Sequence, residues 1–422
     1  MKNQNKRIVI IGGGFGGLNC ALQLRNTKFE ITLIDRTNYH LFQPLLYQVA
    51  SSALSPGDIA TPIRAVLKKN SNIRTVLGQA ISIDIKKKIV KLSDKTNVEY
   101  DYLVIATGSR HHYFGHEEWE KYAPGLKTIH DALSIREKIL MSFEKAEVEY
   151  NSSVQMQYLT FVVVGGGPTG VELAGAIAEI ATKTLAKNFR RIDSKKSRII
   201  LVEGSDRVLP TFTPRLSLRA KRSLERRGVE IRLNAMVGKI DATGVTIGKE
   251  KVVTSNIIWA AGNTTNPLVK DLQGEFDSIG RIKVEKNLSL RSNPEIFVIG
   301  DAAHCLHKSN PLPGIAPVAL QQGRFVGKLL RGGDLKSKEF RYFDKGIMAT
   351  IGKSYAVVKV GKLEISGLFA WLVWIFVHIA YLIGFRNRVI VLTEWFWNYI
   401  TGQRGDRLII NMGKELPQPL KK

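Results

Sequence analysis

The chain has 422 residues, 44% of them hydrophobic, which is long enough for two or three domains that each bury a core. Its 62 lysines and arginines against 37 acidic residues give a net charge of +25, which is high for a globular protein of otherwise ordinary composition. No helix-turn-helix, zinc-finger or RRM-like signature accompanies this charge, so we expect no nucleic acid. An anionic membrane surface and a merely solvated basic surface both stay open. Cys20 and Cys305 stand far apart, which excludes a disulfide framework and a cysteine metal site.

A glycine-rich fingerprint follows the first predicted strand. The apolar run 8–11 leads into G-G-G-F-G-G at 12–17, and the next apolar run ends in Asp35. A strand, a tight glycine turn and a helix N-terminus place free backbone N–H groups around a pyrophosphate. The glycines that make the turn, admit the phosphates and allow close helix packing are, in order, Gly12, Gly14 and Gly17. Asp35 has the spacing of an acid that binds a ribose hydroxyl, so a dinucleotide site is predicted here.

A second fingerprint of the same type, G-G-G-P-T-G at 165–170, follows the apolar run 161–164. The glycines in the same three roles are Gly165, Gly167 and Gly170. The acid after the next strand, Glu203, is further away because the helix from about residue 169 is predicted to continue into the basic stretch 187–196. Glu203 would repel a 2′-phosphate and so favours NADH over NADPH, although Arg207 keeps NADPH open. Two such sites in one chain indicate electron transfer between two dinucleotides.

The two halves share one order of elements. Between 77 and 105 short alternating segments predict an antiparallel excursion, and each half then has a buried strand that closes on A-x-G, at Gly108 and at Gly262. A further buried strand ends in Asp301, where ligands of open α/β sheets bind; capping of the following helix is the alternative role. We predict an α/β fold with two Rossmann-like dinucleotide-binding domains and a C-terminal membrane-associated helical region. The predicted domains are 1–115 with 275–330, then 116–274, then 331–422.

The C-terminal segment differs in composition. No Asp, Glu, Lys or Arg occurs from 365 to 385, and four of the six tryptophans fall between 371 and 397. The length just reaches that of a spanning helix, but His378 in the middle and Gly367 and Gly384 near the ends favour two helices lying in the membrane interface. A single spanning helix ranks second, and a core or dimer-interface helix ranks third. The N-terminal apolar run is too short for a signal peptide, so we expect the cytoplasmic side of the membrane.

Together these motifs resemble the type II NADH dehydrogenases, the non-pumping NADH:quinone oxidoreductases among flavoproteins with two dinucleotide-binding domains. The resemblance covers nearly the whole chain. Beyond the two fingerprints, it rests on N-Y-H-L-F-Q-P-L-L-Y-Q-V-A at 38–50, A-T-G-S at 106–109, Y-F-G-H at 113–116, G-D-A-A at 300–303, His378, and Y-L-I-G-F-R-N-R at 381–388.

The resemblance implies a glutathione-reductase-like pair of domains, with non-covalent FAD in the first and NADH as substrate in the second. The residues implied for FAD are Gly12, Gly14, Gly17, Asp35, Gln43, Pro44, Thr107, Gly108 and Asp301. The residues implied for NADH are Gly165, Gly167, Gly170, Glu203 and Gly262. Glu172 matches a family glutamate near the nicotinamide–flavin contact and is the candidate acid or base. A first-turn carboxylate favoured by the helix dipole is the alternative for Glu172.

On the acceptor side, many members carry A-Q-x-A-x-Q-x-G, whereas residues 316–323 read A-P-V-A-L-Q-Q-G. Pro317 therefore removes one amide, and Gln321, with Gln322 beside it, is the candidate to face quinone. The implied reaction passes a hydride from NADH to FAD and two electrons to a membrane quinone, without proton pumping. A homodimer, peripheral (monotopic) on the cytoplasmic face and bound to anionic membrane through its C-terminal helices, is expected.

Three other functions are alternatives, two of them enzymes and one a binding protein. A disulfide reductase or a sulfide:quinone-type oxidoreductase needs reactive cysteines near the flavin, which Cys20 and Cys305 do not provide. A non-catalytic, membrane-bound NADH-sensing protein would bind NADH without turnover. Bleaching of a bound flavin by NADH separates the enzyme from the sensor.

Overall fold

The computed structural model describes residues 5–333, 335 and 338–410. The predicted C-terminal region 331–422 therefore extends beyond the described residues. The α-helices, in chain order, are α1 (Phe15–Gln23), α2 (Leu46–Ala50), α3 (Pro56–Ile59), α4 (Ile63–Leu67), α5 (Ile129–Val148), α6 (Ser152–Tyr158), α7 (Pro168–Glu179), α8 (Pro214–Glu225), α9 (Ala316–Gly332), α10 (Leu368–Tyr381) and α11 (Phe385–Thr401).

The strands, in chain order, are β1 (Arg7–Ile11), β2 (Glu30–Asp35), β3 (Tyr39–Leu41), β4 (Ala60–Pro62), β5 (Ile73–Leu77), β6 (Ala80–Asp84), β7 (Ile89–Leu92), β8 (Asn97–Glu99), β9 (Tyr102–Ile105), β10 (Ser109–His111), β11 (Thr160–Val164), β12 (Arg198–Val202), β13 (Val229–Arg232), β14 (Val237–Asp241), β15 (Gly244–Ile247), β16 (Glu250–Val253), β17 (Asn256–Trp259), β18 (Asn263–Thr265), β19 (Ile282–Lys283), β20 (Ile296–Val298), β21 (Ala303–His304), β22 (Leu306–His307), β23 (Asn310–Pro311), β24 (Ile347–Thr350), β25 (Ala356–Val360) and β26 (Leu363–Gly367).

The chain divides into two compact units, each made of three segments. The first unit consists of Met1–Leu41, Ala60–Arg110 and Asn263–Asp344. The second consists of Phe42–Ile59, His111–Gly262 and Lys345–Lys422. The domain boundaries predicted from the sequence stay a prediction.

The first unit contains a five-stranded parallel sheet in the order β20-β9-β1-β2-β5. Its central strands are continuous apolar runs because both faces are covered. On one face α1 and α9 pack closely through glycines: a Cβ on Gly323 would lie 2.1 Å from the carbonyl oxygen of Gly16. On the other face Val9 and Leu103 share a core with Ile83 and Val90 of β6 and β7. The strands β6, β7 and β8 form the predicted antiparallel excursion.

The second unit contains a four-stranded parallel sheet in the order β13-β12-β11-β17. Its strand β11 is buried along its whole length. Trp259 and Tyr113 stack with ring centroids 5.1 Å apart in the core beneath this sheet. Both units thus repeat the strand, glycine turn, helix, strand order, and the predicted pair of Rossmann-like folds is confirmed.

The predicted continuation of the helix after Gly170 is wrong. The helix α7 ends at Glu179, and a single π-helical turn, Ile180–Thr184, follows it. Lys187 then takes a left-handed conformation with φ of 70°, which ends helical geometry. The hydroxyl of Ser194 donates to the carbonyl of Ala181 at 2.7 Å and brings the chain back against the π turn. The basic stretch is therefore a folded surface loop.

The C-terminal part of the second unit consists of the antiparallel strands β24, β25 and β26 followed by α10 and α11. The apolar stretch 365–385 is divided, because Gly367 and Gly384 have φ values of 93° and 94°, which interrupt helical geometry before each helix. Two separate helices result, as the in-plane arrangement predicts. Among the described residues, no helix is both long and apolar enough to cross a membrane.

Candidate functional site

The first glycine turn, between β1 and α1, forms a cradle that side chains would fill. Gly12 has φ of 105°, and a Cβ on it would lie 2.3 Å from the carbonyl oxygen of Ala106. A Cβ on Gly17 would lie 1.8 Å from the carbonyl oxygen of Gly12, so strand and helix approach this closely only because Gly17 lacks a side chain. Around Gly14, the residue before α1, a Cβ would meet nothing within 4 Å. This open space at a helix N-terminus suits a pyrophosphate.

Asp35 closes this cradle at the end of β2. Its Oδ2 accepts the N–H of Gly13 at 2.5 Å, and its Oδ1 accepts the N–H and the hydroxyl of Thr37 at 2.6 and 2.7 Å. These bonds hold the carboxylate against the glycine turn and leave lone pairs for a ribose hydroxyl.

Three further residues implied for FAD follow neighbouring strands of the same sheet. Thr107 and Gly108 come directly after β9, and Asp301 lies in a short helical turn after β20. The hydroxyl of Ser109 donates to Asp301 Oδ2 at 2.6 Å. The hydroxyl of Thr107 is buried and has no hydrogen-bond partner among the described residues. A buried unpaired hydroxyl costs about 1–3 kcal/mol, so this position calls for a polar ligand. The first unit therefore fits FAD.

The second glycine turn, between β11 and α7, repeats the first in detail. Gly165 has φ of 109°, and a Cβ on Gly170 would lie 1.8 Å from its carbonyl oxygen. Around Gly167, the residue before α7, a Cβ would again meet nothing within 4 Å. After β17, Gly262 has φ of 70°, and a Cβ there would lie 2.8 Å from the carbonyl oxygen of His112. Each unit thus has its own open cradle before a helix N-terminus, of a form that suits a pyrophosphate.

Glu203 occupies in the second unit the place that Asp35 has in the first. Its Oε2 accepts the N–H of Gly166 at 2.6 Å, and its Oε1 accepts the N–H and the hydroxyl of Ser205 at 2.8 and 2.7 Å. The carboxylate is therefore fixed beside the cradle, where a 2′-phosphate would meet its negative charge. Arg207 Nη1 lies 3.5 Å from Asp206, which offsets part of its positive charge.

Glu172 lies in α7, two residues after the glycine turn, on a partly buried face. Its Oε1 accepts the backbone N–H of Thr350 at 3.3 Å. Burial raises the pKa of Glu172 to about 8, because the charged carboxylate loses its hydration and gains only this one hydrogen bond. A carboxyl group with such a pKa carries a proton near neutral pH and can give it up.

The remaining predicted residues fall into both units. Gln43 and Pro44 form a short helical turn in the second unit, where Gln43 Nε2 donates to the carbonyl of Lys127 at 3.5 Å. Gln321 in the first unit donates to the carbonyl of Phe343 at 3.0 Å and accepts its N–H at 2.9 Å. Gln322 Oε1 accepts the N–H of Gly300 at 2.6 Å. Both amides in the altered glutamine motif thus hold backbone groups.

Sequence reasoning missed a cavity in the second unit, lined by aromatic rings together with a few charged groups. Its lining includes Tyr47, Gln48, Glu179, Lys353, Trp374 and Arg404. The tryptophans inside the C-terminal segment were a signal for it, because three of them, Trp371, Trp374 and Trp395, line the cavity. No sequence pattern indicated the ion pair of Glu179 with Arg404 in its wall, because the two residues are far apart in the chain.

Two family models match the chain. The pyridine nucleotide-disulphide oxidoreductase model matches residues 6–323, and the NDH2 C-terminal domain model matches residues 345–404. The chain is 45% identical to a type II NADH:quinone oxidoreductase, NdhA, of Mycobacterium tuberculosis, over 96% of this chain and 89% of that protein. The chain belongs to the type II NADH:quinone oxidoreductase family.

Other members of this family agree with that assignment. A second type II NADH:quinone oxidoreductase of Mycobacterium tuberculosis, Ndh, is 42% identical over 96% of this chain and 90% of its own length. The solved structure of NDH2 from Plasmodium falciparum in complex with NADH has the same fold, with a TM-score of 0.88 and 23% identity over 96% of this chain and all of that chain. The family resemblance seen in the motifs is confirmed.

Proposed function

We propose that this chain oxidises NADH bound in its second unit, with FAD bound in its first unit as the carrier, and reduces a membrane quinone. As a type II NADH:quinone oxidoreductase it is an FAD-dependent enzyme that does not pump protons. The observation that carries the proposal is the repeated cradle. Two glycine turns of one geometry, each with an acid fixed at the end of the next strand, give one chain two dinucleotide sites.

The bound FAD supplies the ability to take a hydride and release two electrons to a quinone. The chain's own residues bind and orient. Gly12, Gly14 and Gly17 leave room for the pyrophosphate, Asp35 accepts from a ribose hydroxyl, and the Thr107 hydroxyl bonds a polar group of the cofactor. Gly108, Asp301, Gln43 and Pro44 complete the proposed FAD set, and Gly165, Gly167, Gly170, Glu203 and Gly262 form the proposed NADH set.

Glu172, Gln321 and Gln322 form the proposed catalytic set. Glu172 is the proposed acid or base, because burial raises its pKa to about 8 and it lies on α7, two residues after the second glycine turn. Gln321 and Gln322 are proposed for the acceptor side, where a quinone would compete with the backbone groups of Phe343 and Gly300 for their amides.

Cysteine chemistry finds no support. Burial raises the pKa of Cys20 to about 12 and that of Cys305 to about 11, so neither thiol ionises near neutral pH. Both cysteines are free and buried, which fits small apolar core residues. A disulfide reductase and a sulfide:quinone-type reaction both need a reactive thiolate.

The function is tested with the purified full-length protein. We expect it to be yellow, to lose its flavin absorbance when NADH is added without oxygen, and to regain it when a soluble ubiquinone or menaquinone analogue follows. Binding of NADH without bleaching would favour the sensing protein instead. Bleaching by sulfide would favour the sulfide:quinone reaction.

Glu203→Ala should relax the preference for NADH over NADPH. The substitution removes the carboxylate that would repel a 2′-phosphate, so the ratio of kcat/KM for NADH to that for NADPH should fall about tenfold, which corresponds to ~1.4 kcal/mol. The matched control is Glu250→Ala, which removes an exposed strand carboxylate of the same unit. An unchanged ratio in Glu203→Ala would exclude the assigned role.

The membrane proposal rests on the outer faces of α10 and α11. Phe369, Leu372 and Phe376 of α10 are exposed at helical spacing, whereas Trp374 and His378 on its other face are buried. The exposed apolar residues of α11 are Phe385, Val389, Leu392, Phe396, Trp397, Tyr399 and Ile400. Phe376 is 73% exposed and Phe385 is 83% exposed. Exposure of such rings to water is unfavourable, whereas their insertion into a bilayer interface is favourable.

Basic groups flank these helices within the second unit. Arg219 of α8 donates to the Ser366 hydroxyl at 2.6 Å, immediately before α10. The Thr184 hydroxyl donates to the carbonyl of Gly402 at 3.4 Å and joins the basic loop to the end of α11. The exposed cations of that region are Lys183, Lys187, Arg190, Arg191, Lys195 and Lys196. An apolar face between cations fits an anionic membrane surface. The cytoplasmic side and a homodimer are further parts of this proposal; sedimentation of the purified protein tests the dimer.

A further inference from the structure

The first glycine turn is held by side chains on both sides of Gly13. The N–H of Gly13 donates to Asp35 Oδ2 at 2.5 Å, and its carbonyl oxygen lies 3.0 Å from Nδ1 of His40. A carbonyl oxygen can only accept, so Nδ1 carries a hydrogen and donates it. Asp35 belongs to the residues proposed for FAD, whereas His40 belongs to none of the proposed sets.

The His40 ring is fixed in this position by its surroundings. The side chain is 3% exposed, and its backbone lies in β3, opposite Thr61 of the antiparallel β4. The ring of Phe15, the first residue of α1, packs edge-on against it with centroids 5.1 Å apart. Burial lowers the pKa of His40, although the bond to Gly13 and the nearby Asp35 oppose this shift. The ring is therefore neutral near neutral pH, with its single N–H at Nδ1.

The bond from His40 also fixes the direction of the next backbone N–H. A peptide group is planar and trans, so the carbonyl of Gly13 and the N–H of Gly14 point in opposite directions. Gly14 precedes α1, and its own carbonyl accepts the N–H of Leu18 at 3.1 Å. The N–H groups at a helix N-terminus have no intrahelical acceptor, and the space around Gly14 is open. The Gly14 N–H therefore points away from His40 and is free to bind an anion.

The second glycine turn holds the equivalent carbonyl with a different donor. Gly166 corresponds to Gly13: its N–H donates to Glu203 at 2.6 Å, and its carbonyl accepts the backbone N–H of Leu209 at 2.7 Å. Leu209 is buried and has φ of 51°, a conformation that leucine rarely adopts. Both turns thus fix the same peptide group, with a histidine ring in one and a backbone N–H in the other. This repetition indicates that the bond belongs to the cradle and not to general packing.

We propose that His40 is a positioning residue for FAD, in which the Nδ1 hydrogen bond to the Gly13 carbonyl directs the Gly14 N–H at the pyrophosphate. The inference rests on the proposed function, which assigns FAD to the first unit. His40 acts through the peptide group between the two glycines. Because the second turn uses a backbone donor, only the first cradle depends on a side chain at this point. Removal of the His40 donor should therefore weaken FAD binding and leave NADH binding unchanged.

The test uses amide side chains that each reproduce one nitrogen of the ring. The amide nitrogen of asparagine is about as far from the backbone as Nδ1, whereas that of glutamine is about as far as Nε2. The dissociation constant of FAD is measured by diluting the purified full-length holoenzyme and following the fluorescence of released FAD. We expect it to rise about tenfold in His40→Gln and His40→Leu, which corresponds to ~1.4 kcal/mol, and to stay within about threefold of the wild type in His40→Asn.

A second readout separates positioning from a general loss of structure. Phosphorus NMR of bound FAD should show shifted pyrophosphate resonances in His40→Gln, while the flavin absorbance bands stay in place. The KM for NADH, measured with FAD in excess, should not change. The matched control is His378→Leu, because His378 is also buried and is bonded through Nδ1 to a backbone carbonyl, that of Trp374, at 2.7 Å in the second unit. It should leave the affinity for FAD unchanged.

The comparison of asparagine with glutamine decides the outcome. Unchanged FAD affinity in His40→Gln and His40→Leu would overturn the inference, and so would equal losses in His40→Gln and His40→Asn. If His40→Leu does not fold, His40→Gln and His40→Asn still give the test, because both keep a polar side chain. A wild-type protein that binds no flavin would instead overturn the proposed function.

Discussion

Gly14→Val should give a folded protein that lacks FAD, and Gly167→Val a yellow protein that NADH no longer bleaches efficiently. Both glycines have φ near −70°, which valine adopts, and a Cβ at either position meets no protein atom within 4 Å. The valine side chain would instead occupy the space in the cradle that we assign to the pyrophosphate. We expect flavin content to fall about tenfold or more in the first variant, and the KM for NADH to rise about tenfold or more in the second.

The two variants control each other, because each changes one cradle of the same geometry. Flavin content is read from the visible absorbance per protein, and folding from circular dichroism. In Gly17→Val the Cβ would lie 1.8 Å from the carbonyl oxygen of Gly12, so this variant should fail to fold. It serves as the control for a steric clash within the protein. Loss of FAD in Gly167→Val with retention in Gly14→Val would reverse the assignment of cofactors to units. Normal flavin and NADH binding in both would refute the cradles.

Replacing the outer phenylalanines of the C-terminal helices should release the enzyme from membranes. The variant carries Phe369→Ser, Phe376→Ser, Phe385→Ser and Phe396→Ser. Burial of a phenylalanine is worth about 1.5–3 kcal/mol, so even half-insertion of four rings predicts a loss of about 3–6 kcal/mol in membrane binding. We expect the protein to move to the soluble fraction and to lose quinone reduction in vesicles, while NADH still bleaches the flavin.

The matched control changes exposed apolar residues away from these helices, with Leu77→Ser and Met236→Ser, which are 60% and 72% exposed. It should stay with the membrane. Binding to vesicles of anionic lipid should also weaken as the salt concentration rises, because salt screens the attraction between the basic residues and the lipid. The contribution of the phenylalanines to the binding free energy should not depend on salt. Continued membrane binding of the fourfold variant would contradict in-plane attachment. Loss of flavin reduction as well would assign the helices to the core.

Local sequence patterns predicted most of the fold. The glycine turns, the acids Asp35 and Glu203, and the break of the apolar tail at its two glycines each depend on residues that are close in sequence or on positive φ. Such features follow from the period of strands and helices and from steric limits on side chains, so they can be predicted without tertiary contacts. The end of α7 could not be predicted in this way. It depends on tertiary contacts such as the hydrogen bond from the Ser194 hydroxyl to the Ala181 carbonyl, which holds the following loop against the helix.

The sequence by itself determined that this protein has two dinucleotide cradles and an apolar C-terminal region, because each is written in a short run of residues. Only the tertiary structure decided what the polar side chains do. It engaged the Gln321 amide with Phe343, and it assembled Tyr47, Glu179 and Arg404 around one cavity. These partners are separated by up to several hundred residues, and their pairing depends on burial and geometry, which no local pattern encodes.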